Sequence, residues 1–407
     1  MAKSAQTTTI VTPARRLFLN LGHFCDHLFL PIFPVVVLAL EREWQRPFEE
    51  LIWPLTVGLI GFAGATIPAG WLGDRWSRDG MLAIFFLGIG ASSILTGMMD
   101  EPLGLAVGLG FIGVFAAIYH PVGLAMVVSG TDQVGRVLGV NGVWGNMGVA
   151  AAALLAGLLT ERLGWRAAFI VPGAFALLLG MAYLIYLRRA GTLVLVRAVR
   201  AAGGLPKVDR RMQVRVILLA LAVAACGGLI FGSMTVVLPK ALSEGVSQFA
   251  GGTELVGRWA AAIFALAAFA QLVTGPLADR YPARTLIFAV GVGQAVCLLL
   301  LAGGATGFAM PLAALGVMLF AFGQIPINDA LIARHADEDW RARVYACKYV
   351  LTFGVATVQV PLIVWLRGMS GDFLWLFTLL TGLAAAVALV ALWLPGRTRP
   401  VAVATQT

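Results

Sequence analysis

Apolar runs long enough to cross a bilayer recur along this 407-residue chain, and they constrain its fold more than any other feature. A hydrocarbon core of ~30 Å takes about 20 apolar residues per helix. Twelve such segments can be marked. In the first half they cover residues 16–40, 52–73, 80–99, 102–128, 137–160 and 166–187. In the second half they cover 215–240, 256–278, 284–303, 307–333, 343–366 and 373–394. Charged residues make up 12% of the chain, against roughly 25% in soluble domains. Lipid, not water, is the expected solvent.

A short motif appears twice. Gly70-Trp71-Leu72-Gly73-Asp74-Arg75 recurs as Gly275-Pro276-Leu277-Ala278-Asp279-Arg280, 205 residues later. The same offset relates Pro34 to Pro239, Pro121 to Pro326 and Arg136 to Arg341. Shared apolar composition explains one such match but not the set. The chain therefore reads as two homologous six-helix halves, 1–187 and 215–407, joined by a basic connector, 188–214. Leu193 to Ala202 of that connector are amphipathic enough to lie on a membrane surface.

The net charge of +9 is a topology signal, not a sign of nucleic-acid binding. One face carries Arg75, Arg78, Arg136, the connector, Arg280, Arg284, Arg334, Arg341, Arg343 and the arginines near both termini. The other carries Glu41, Glu43, Glu49, Glu50, Asp100, Glu101, Glu161 and Glu244. The positive-inside rule places both termini in the cytoplasm. The N-terminal segment has no cleavable signal pattern, so the first apolar run is expected to remain as a helix. Cys25, Cys226, Cys297 and Cys347 lie in separate apolar segments with no CxxC spacing, and read as buried small residues.

Two six-helix halves and a basic central connector resemble the major facilitator superfamily. Its loop motif Gly-x-Leu-x-Asp-Arg-x-Gly-Arg is matched by Gly70 to Arg78, with Ser77 in place of the second glycine and Asp79 where a further cation is common. Within that superfamily, two stretches resemble the fosmidomycin-resistance branch of exporters. One is Gly22-His23-Phe24 with Asp26-His27, Leu30-Pro31 and Pro34; the other is Tyr119-His120-Pro121, supported by Gly145-Asn146-x-Gly148. Two departures stand beside the match. The helix-4 arginine of many proton antiporters is absent, and helix 5 lacks the Gly-Pro of drug antiporters. The resemblance implies an all-α membrane fold of two pseudo-symmetric six-helix bundles, with helices 1 and 4 lining a central cavity.

Helix 1 carries the most unusual residues. Asn20, His23, Asp26, His27 and Leu30 recur at spacings of three and four and share much of one face. An ionisable group inside a membrane helix costs upward of roughly 2.5–3.5 kcal/mol, so it usually faces a watery cavity. Asp26 lies ten residues past Arg16, about 15 Å deep. His120 in helix 4 lies nine residues before Ser129, at similar depth. If helices 1 and 4 line one cavity, the two can meet. Asp26 is the candidate proton-coupling group and His120 its modulator. Two other readings stand beside it. The polar residues can serve only to hold helices together. His23, Asp26 and His27 are also metal-type ligands at helical spacing, although too few for a closed site without a donor from another helix.

In the second half, Asp329 and Lys348 are expected to pair between helices 10 and 11, as an inner-gate pair or as part of the substrate site. Asn20, His23, His27, Tyr119, Trp144, Asn146, Gln324, Asn328, Tyr345 and Lys348 are the candidate cavity residues, with Tyr349 as a further aromatic wall. Asp74, Arg75, Arg78, Asp279, Arg280 and Asp329 are the candidate gate residues. An Asp at a helix end can pair with an arginine and with the positive start of a neighbouring helix, holding one side closed. A cavity with four cationic or histidine side chains against two carboxylates favours an anionic or zwitterionic cargo.

No nucleotide-binding or cofactor motif is present. The sequence thus predicts a monomeric, proton-coupled secondary transporter of the bacterial inner membrane, exporting a small anionic, zwitterionic or amphiphilic compound. Its rivals are a symporter importing a small anion and a non-transporting sensor or assembly factor on the same fold. An enzyme is the least supported class.

Overall fold

We analysed a computed structural model of the protein, which describes residues 12–129, 134–190, 210–246, 252–336 and 338–396. Among the described residues, regular structure is entirely helical. Twelve helices are long and apolar enough to cross a membrane. Spans 1 to 6 are Pro13–Trp44, Pro54–Arg75, Arg78–Thr96, Pro102–Val127, Arg136–Leu163 and Ala167–Arg189. Spans 7 to 12 are Arg210–Gly245, Thr253–Arg280, Ala283–Ala302, Ala309–His335, Val344–Ser370 and Leu374–Ala391.

The packing repeats in the two halves. Span 1 packs on span 5, span 2 on span 4 and span 3 on span 6; likewise 7 on 11, 8 on 10 and 9 on 12. Between the halves, span 5 meets span 8, span 2 meets span 11 and span 1 meets span 7. The repeat holds at the level of single residues. A Cβ at Gly22 would lie 2.7 Å from the Tyr119 ring, and one at Gly227 would lie 2.5 Å from Gln324 Nε2. Both partners of the second crossing stand 205 positions after those of the first. Tyr119 donates to the Leu19 carbonyl at 2.7 Å and Gln324 to the Val223 carbonyl at 3.0 Å, so each crossing is closed by a bond to the preceding helix.

Small residues allow the close approaches, as expected where lipid gives helices no hydrophobic reason to associate. A Cβ at Gly113 of span 4 would lie 1.9 Å from the Gly58 carbonyl of span 2. At Gly257 of span 8 it would lie 2.5 Å from the Ala153 carbonyl of span 5. Large apolar side chains such as Leu178, Leu299 and Leu389 remain exposed and form the surface offered to lipid.

Two spans depart from α-geometry in the first half. Span 1 is two helices, Pro13–Asp26 and Phe29–Trp44. Pro31 removes the bond to the His27 carbonyl four residues back and crowds it, which places the break at residues 27–28. Span 4 contains a π-turn at Tyr119–Gly123 around Pro121, a distortion frequent at functional sites. Pro326 stands at the matching position of span 10, yet the helix Ala309–His335 runs through it.

The structure corrects two sequence expectations. The connector is shorter than 188–214, because one helix continues to Ala190 and the next begins at Arg210. Arg188 and Arg189 favour that extension by sitting in the last turn, near the negative end of the helix dipole. The amphipathic stretch Leu193 to Ala202 lies outside the described residues. Of the four cysteines expected to be buried, Cys25 is, while Cys226 and Cys297 are half-buried and Cys347 is exposed; a thiol is apolar enough to stand on such a surface.

The crossing of spans 1 and 5 is the tightest near the broken helix. A Cβ at Gly148 would lie 2.2 Å from the Phe24 carbonyl and 3.2 Å from His27 Cβ. Gly148→Ala should therefore destabilise the protein by about 1–3 kcal/mol through overpacking. Gly139→Ala, on the same span with nothing within 4 Å, should not. Thermal unfolding of both variants in detergent checks the difference.

Candidate functional site

The break in span 1 and the π-turn in span 4 bring four ionisable side chains together. His120 Nε2 lies 3.0 Å from Asp26 Oδ2, and His27 Nε2 lies 3.7 Å from the same oxygen. The His23 ring lies 4.9 Å from that of His27 and 5.5 Å from that of His120. Asp26 is 5% exposed and His23 7%. Asp26 Oδ1, His23 Nε2 and His120 Nδ1 are buried without a hydrogen-bond partner.

His23 is held on all sides. Its Nδ1 donates to the Asn141 carbonyl at 2.7 Å, since a carbonyl only accepts; this fixes the tautomer and leaves Nε2 as a bare lone pair. Tyr119 stacks on one face at 4.9 Å. On the ring's other contact, a Cβ at Gly145 would lie 2.7–2.8 Å from Nε2, Cδ2 and Cε1. Asn141 also donates through Nδ2 to the Tyr119 hydroxyl and to Asn20 Oδ1, both at 3.0 Å. Thus span 5 locks the first piece of span 1 to span 4 directly beneath the cluster.

The second half caps the cluster with aromatic rings. Tyr349 and Phe353 of span 11 lie 5.5 and 5.2 Å from the His120 ring. Phe353 also meets Phe62 of span 2 at 4.5 Å. The cluster therefore sits against the boundary between halves. At the four positions 205 residues later, the second half has Gly228, Phe231, Gly232 and Ile325. The ionisable cluster has no counterpart there.

Lys348 stands next to the cluster, its Nζ 5.5 Å over the Tyr349 ring that meets His120. Lys348 pairs with Asp329, and the Tyr345 hydroxyl donates to the Asp329 carbonyl at 2.9 Å. Asn328 Oδ1, Gln324 Oε1 and Asn146 Nδ2 are buried without partners, as is Thr352 Oγ1. Trp144 is half-buried on span 5 and is not among the rings stacked at the cluster.

The motif residues form local pairs. Asp74 bonds Arg78 at 2.8 Å, and Arg75 lies over Trp71 at 5.2 Å. Asp279 bonds Arg334 at 2.8 Å, while Arg280 is exposed at the end of span 8. Each of these contacts stays within one half, and Asp74 pairs with Arg78, the first residue of span 3. Asp79 does more of the holding: it accepts from Arg15 at 2.8 and 2.9 Å and from the Tyr183 hydroxyl at 2.6 Å, tying spans 1, 3 and 6.

Ion pairs that join the halves lie on the opposite, acidic face. Lys240 of span 7 bonds Glu41 of span 1 at 2.7 and 2.9 Å. Arg367 of span 11 bonds Glu49 after span 1 and Glu244 of span 7. Arg162 of span 5 bonds Glu254 of span 8 at 3.0 and 3.2 Å. In the sequence Glu41, Glu49 and Glu244 are topology markers, and neither Glu254 nor the cationic partners stand out. The usable signal is that cations such as Lys240, Arg367 and Arg162 stand among the carboxylates of this face.

The Major Facilitator Superfamily model matches residues 19–347. The chain belongs to the major facilitator superfamily. It is 34% identical over 165 residues to the puromycin resistance protein pur8 of Streptomyces alboniger, 39% of this chain and 33% of that protein. Similarity to the putative niacin/nicotinamide transporter NiaP of Bacillus subtilis is 29% over 174 residues, 42% of each. For the tetracenomycin C resistance and export protein of Streptomyces glaucescens it is 27% over 152 residues, 36% of this chain and 28% of that one. The chain thus spans under half the length of these relatives. A bacterial homolog of the lysosomal transporter Spinster, solved in an inward-facing, occupied conformation, shares the fold. Its TM-score is 0.72 at 13% identity, over 95% of this chain and 98% of that one. Membership places the chain in a transporter family, not among enzymes.

Arg367 is 7% exposed at its side chain and holds two carboxylates from different spans. Removing Arg367 leaves Glu49 and Glu244, both partly exposed, without the cation that joins them, although Glu244 keeps Lys240 at 3.3 Å. Arg367→Gln should therefore loosen the acidic face. Spin-label distances between the acidic-face ends of spans 1 and 7 should lengthen relative to wild type.

Proposed function

We propose that the protein is a proton-coupled secondary active transporter working by alternating access, and that it exports a small anionic, zwitterionic or amphiphilic organic compound. The observation that carries the reading is the pairing of Asp26 with His120, 3.0 Å apart at the boundary between two packed halves. A buried carboxylate beside imidazoles can exchange a proton when neighbouring groups move, and the two halves supply that movement. Asp26 carries the proton in this reading, and His120 tunes it.

The basic face is cytoplasmic by the positive-inside rule, and the membrane is the bacterial inner membrane. The ion pairs of Lys240, Arg367 and Arg162 then seal the outer face, while Asp74, Arg75, Arg78, Asp279 and Arg280 work the inner one together with Asp329. Rocking breaks the outer set, and in this scheme the inner residues, paired within their own halves here, then meet across the interface. Buried unpartnered groups on spans 5, 10 and 11 (Asn146, Gln324, Asn328, Thr352) offer hydrogen bonds to cargo, and Lys348 offers a cation. The export direction follows the resistance and export proteins among the relatives and the resemblance of helix 1 to the fosmidomycin-resistance branch. Import of a small anion by symport has the niacin/nicotinamide transporter in its favour. The protein acts as a monomer in this scheme.

Purified protein in liposomes tests the reading. Substrate addition should drive proton movement in wild type and none in Asp26→Asn, with the variant still folded. Unchanged flux in Asp26→Asn removes Asp26 from the mechanism. Reversing the imposed pH gradient separates the directions, since antiport and symport respond with opposite sign.

A further inference from the structure

Three of the four histidines in the chain converge with Asp26 at one point inside the bundle. One ligand-type atom from each of His23, Asp26, His27 and His120 lies within 4.8 Å of the others. We infer that these four side chains form a binding site for one divalent transition-metal ion of the zinc class. The inference goes beyond the transport reading and does not depend on proton coupling.

Four observations support it. The donors come from two spans, so span 4 supplies the ligand that the helix-1 triplet lacks. His23 and His27 stand four apart on one helix face, the spacing by which two histidines chelate a single ion. His23 is already set as a metal-ligating histidine is: its Nδ1–H is held by a backbone carbonyl and its Nε2 lone pair is bare and buried. Asp26 Oδ1 is likewise buried with no hydrogen-bond partner, although such groups are rarely left orphaned.

The dimensions fit a modest contraction. With zinc–nitrogen bonds of ~2.0–2.1 Å, tetrahedral ligand atoms stand about 3.3–3.4 Å apart. The Asp26–His120 and Asp26–His27 separations of 3.0 and 3.7 Å bracket that spacing. His23 is fixed by span 5, so the wider pairs close by rotation of the His27 and His120 rings toward it. Three imidazoles and one carboxylate select a borderline ion over magnesium or calcium, which prefer all-oxygen sites. The charge balance is tolerable, since Lys348 on the capping span is engaged by Asp329. His27 gives a way in, being 25% exposed at its side chain while Asp26 is 1%. A metal and a proton on Asp26 are alternative occupants of the same lone pairs.

Cobalt(II) is the probe, because a four-coordinate nitrogen–oxygen site gives it strong visible absorption. Wild-type protein in nanodiscs should take up one Co²⁺, with bands that Zn²⁺ abolishes and Mg²⁺ does not. His23→Gln and His120→Gln should each weaken binding by more than the ~10–100-fold lost with an outer partner. His335→Gln, outside the cluster, should bind as wild type, and monodisperse, thermally cooperative samples establish folding. Absence of a one-to-one spectrum in wild type overturns the inference whatever the variants do, as does undiminished binding in His23→Gln and His120→Gln together. Proton flux that persists without any cobalt binding leaves the transport reading intact; cobalt binding without proton flux leaves the metal site intact.

Discussion

One carboxylate placed in the middle of an apolar bundle sets terms for everything around it. Asp26 is buried on span 1, and a lone charge there costs several kcal/mol unless other groups answer it. Two imidazoles answer it, and they reach it because two helices give up regular geometry. Pro31 breaks span 1 at His27 and Pro121 opens a π-turn at His120. Glycines on span 5 then let span 1 approach until Gly145 meets the His23 ring and Gly148 meets the Phe24 carbonyl. The local irregularities, the glycines and the charge form one arrangement.

Duplication explains the scaffold, and its failures explain the site. The crossing of Gly22 with Tyr119 is repeated by Gly227 with Gln324, so the halves share their joints. At the cluster positions the second half has Phe231 and Ile325, and no charge needs answering. Its ionisable pair, Asp329 with Lys348, is at other positions on spans 10 and 11, with Lys348 over the Tyr349 ring that meets His120. The second half contributes rings to the cluster instead, Tyr349 and Phe353. Movement of span 11 against span 4 therefore changes the surroundings of His120 directly.

Much of this was legible in sequence because it follows from spacing. Apolar runs mark the spans, the offset marks the halves, and counting residues from Arg16 and Ser129 puts Asp26 and His120 at one depth. What stayed hidden depends on contacts between distant chain segments. Lys240 meets Glu41, and Arg367 meets Glu49 and Glu244, only once the outer ends of four segments are assembled. Asn141 holds His23 through a backbone carbonyl, which no side-chain pattern reveals. Asp79 looked like a departure from the loop motif, and its reason is Arg15 and Tyr183 on two other spans.

The central claim is that the Asp26 carboxyl changes its protonation within the working protein. Infrared difference spectroscopy of the protein in lipid, followed across pH, reads that carboxyl directly. The account predicts a protonated-carboxyl band in wild type that appears and disappears with pH and is missing from Asp26→Asn. A wild-type band unchanged by that substitution, or no titrating band at all, would contradict it.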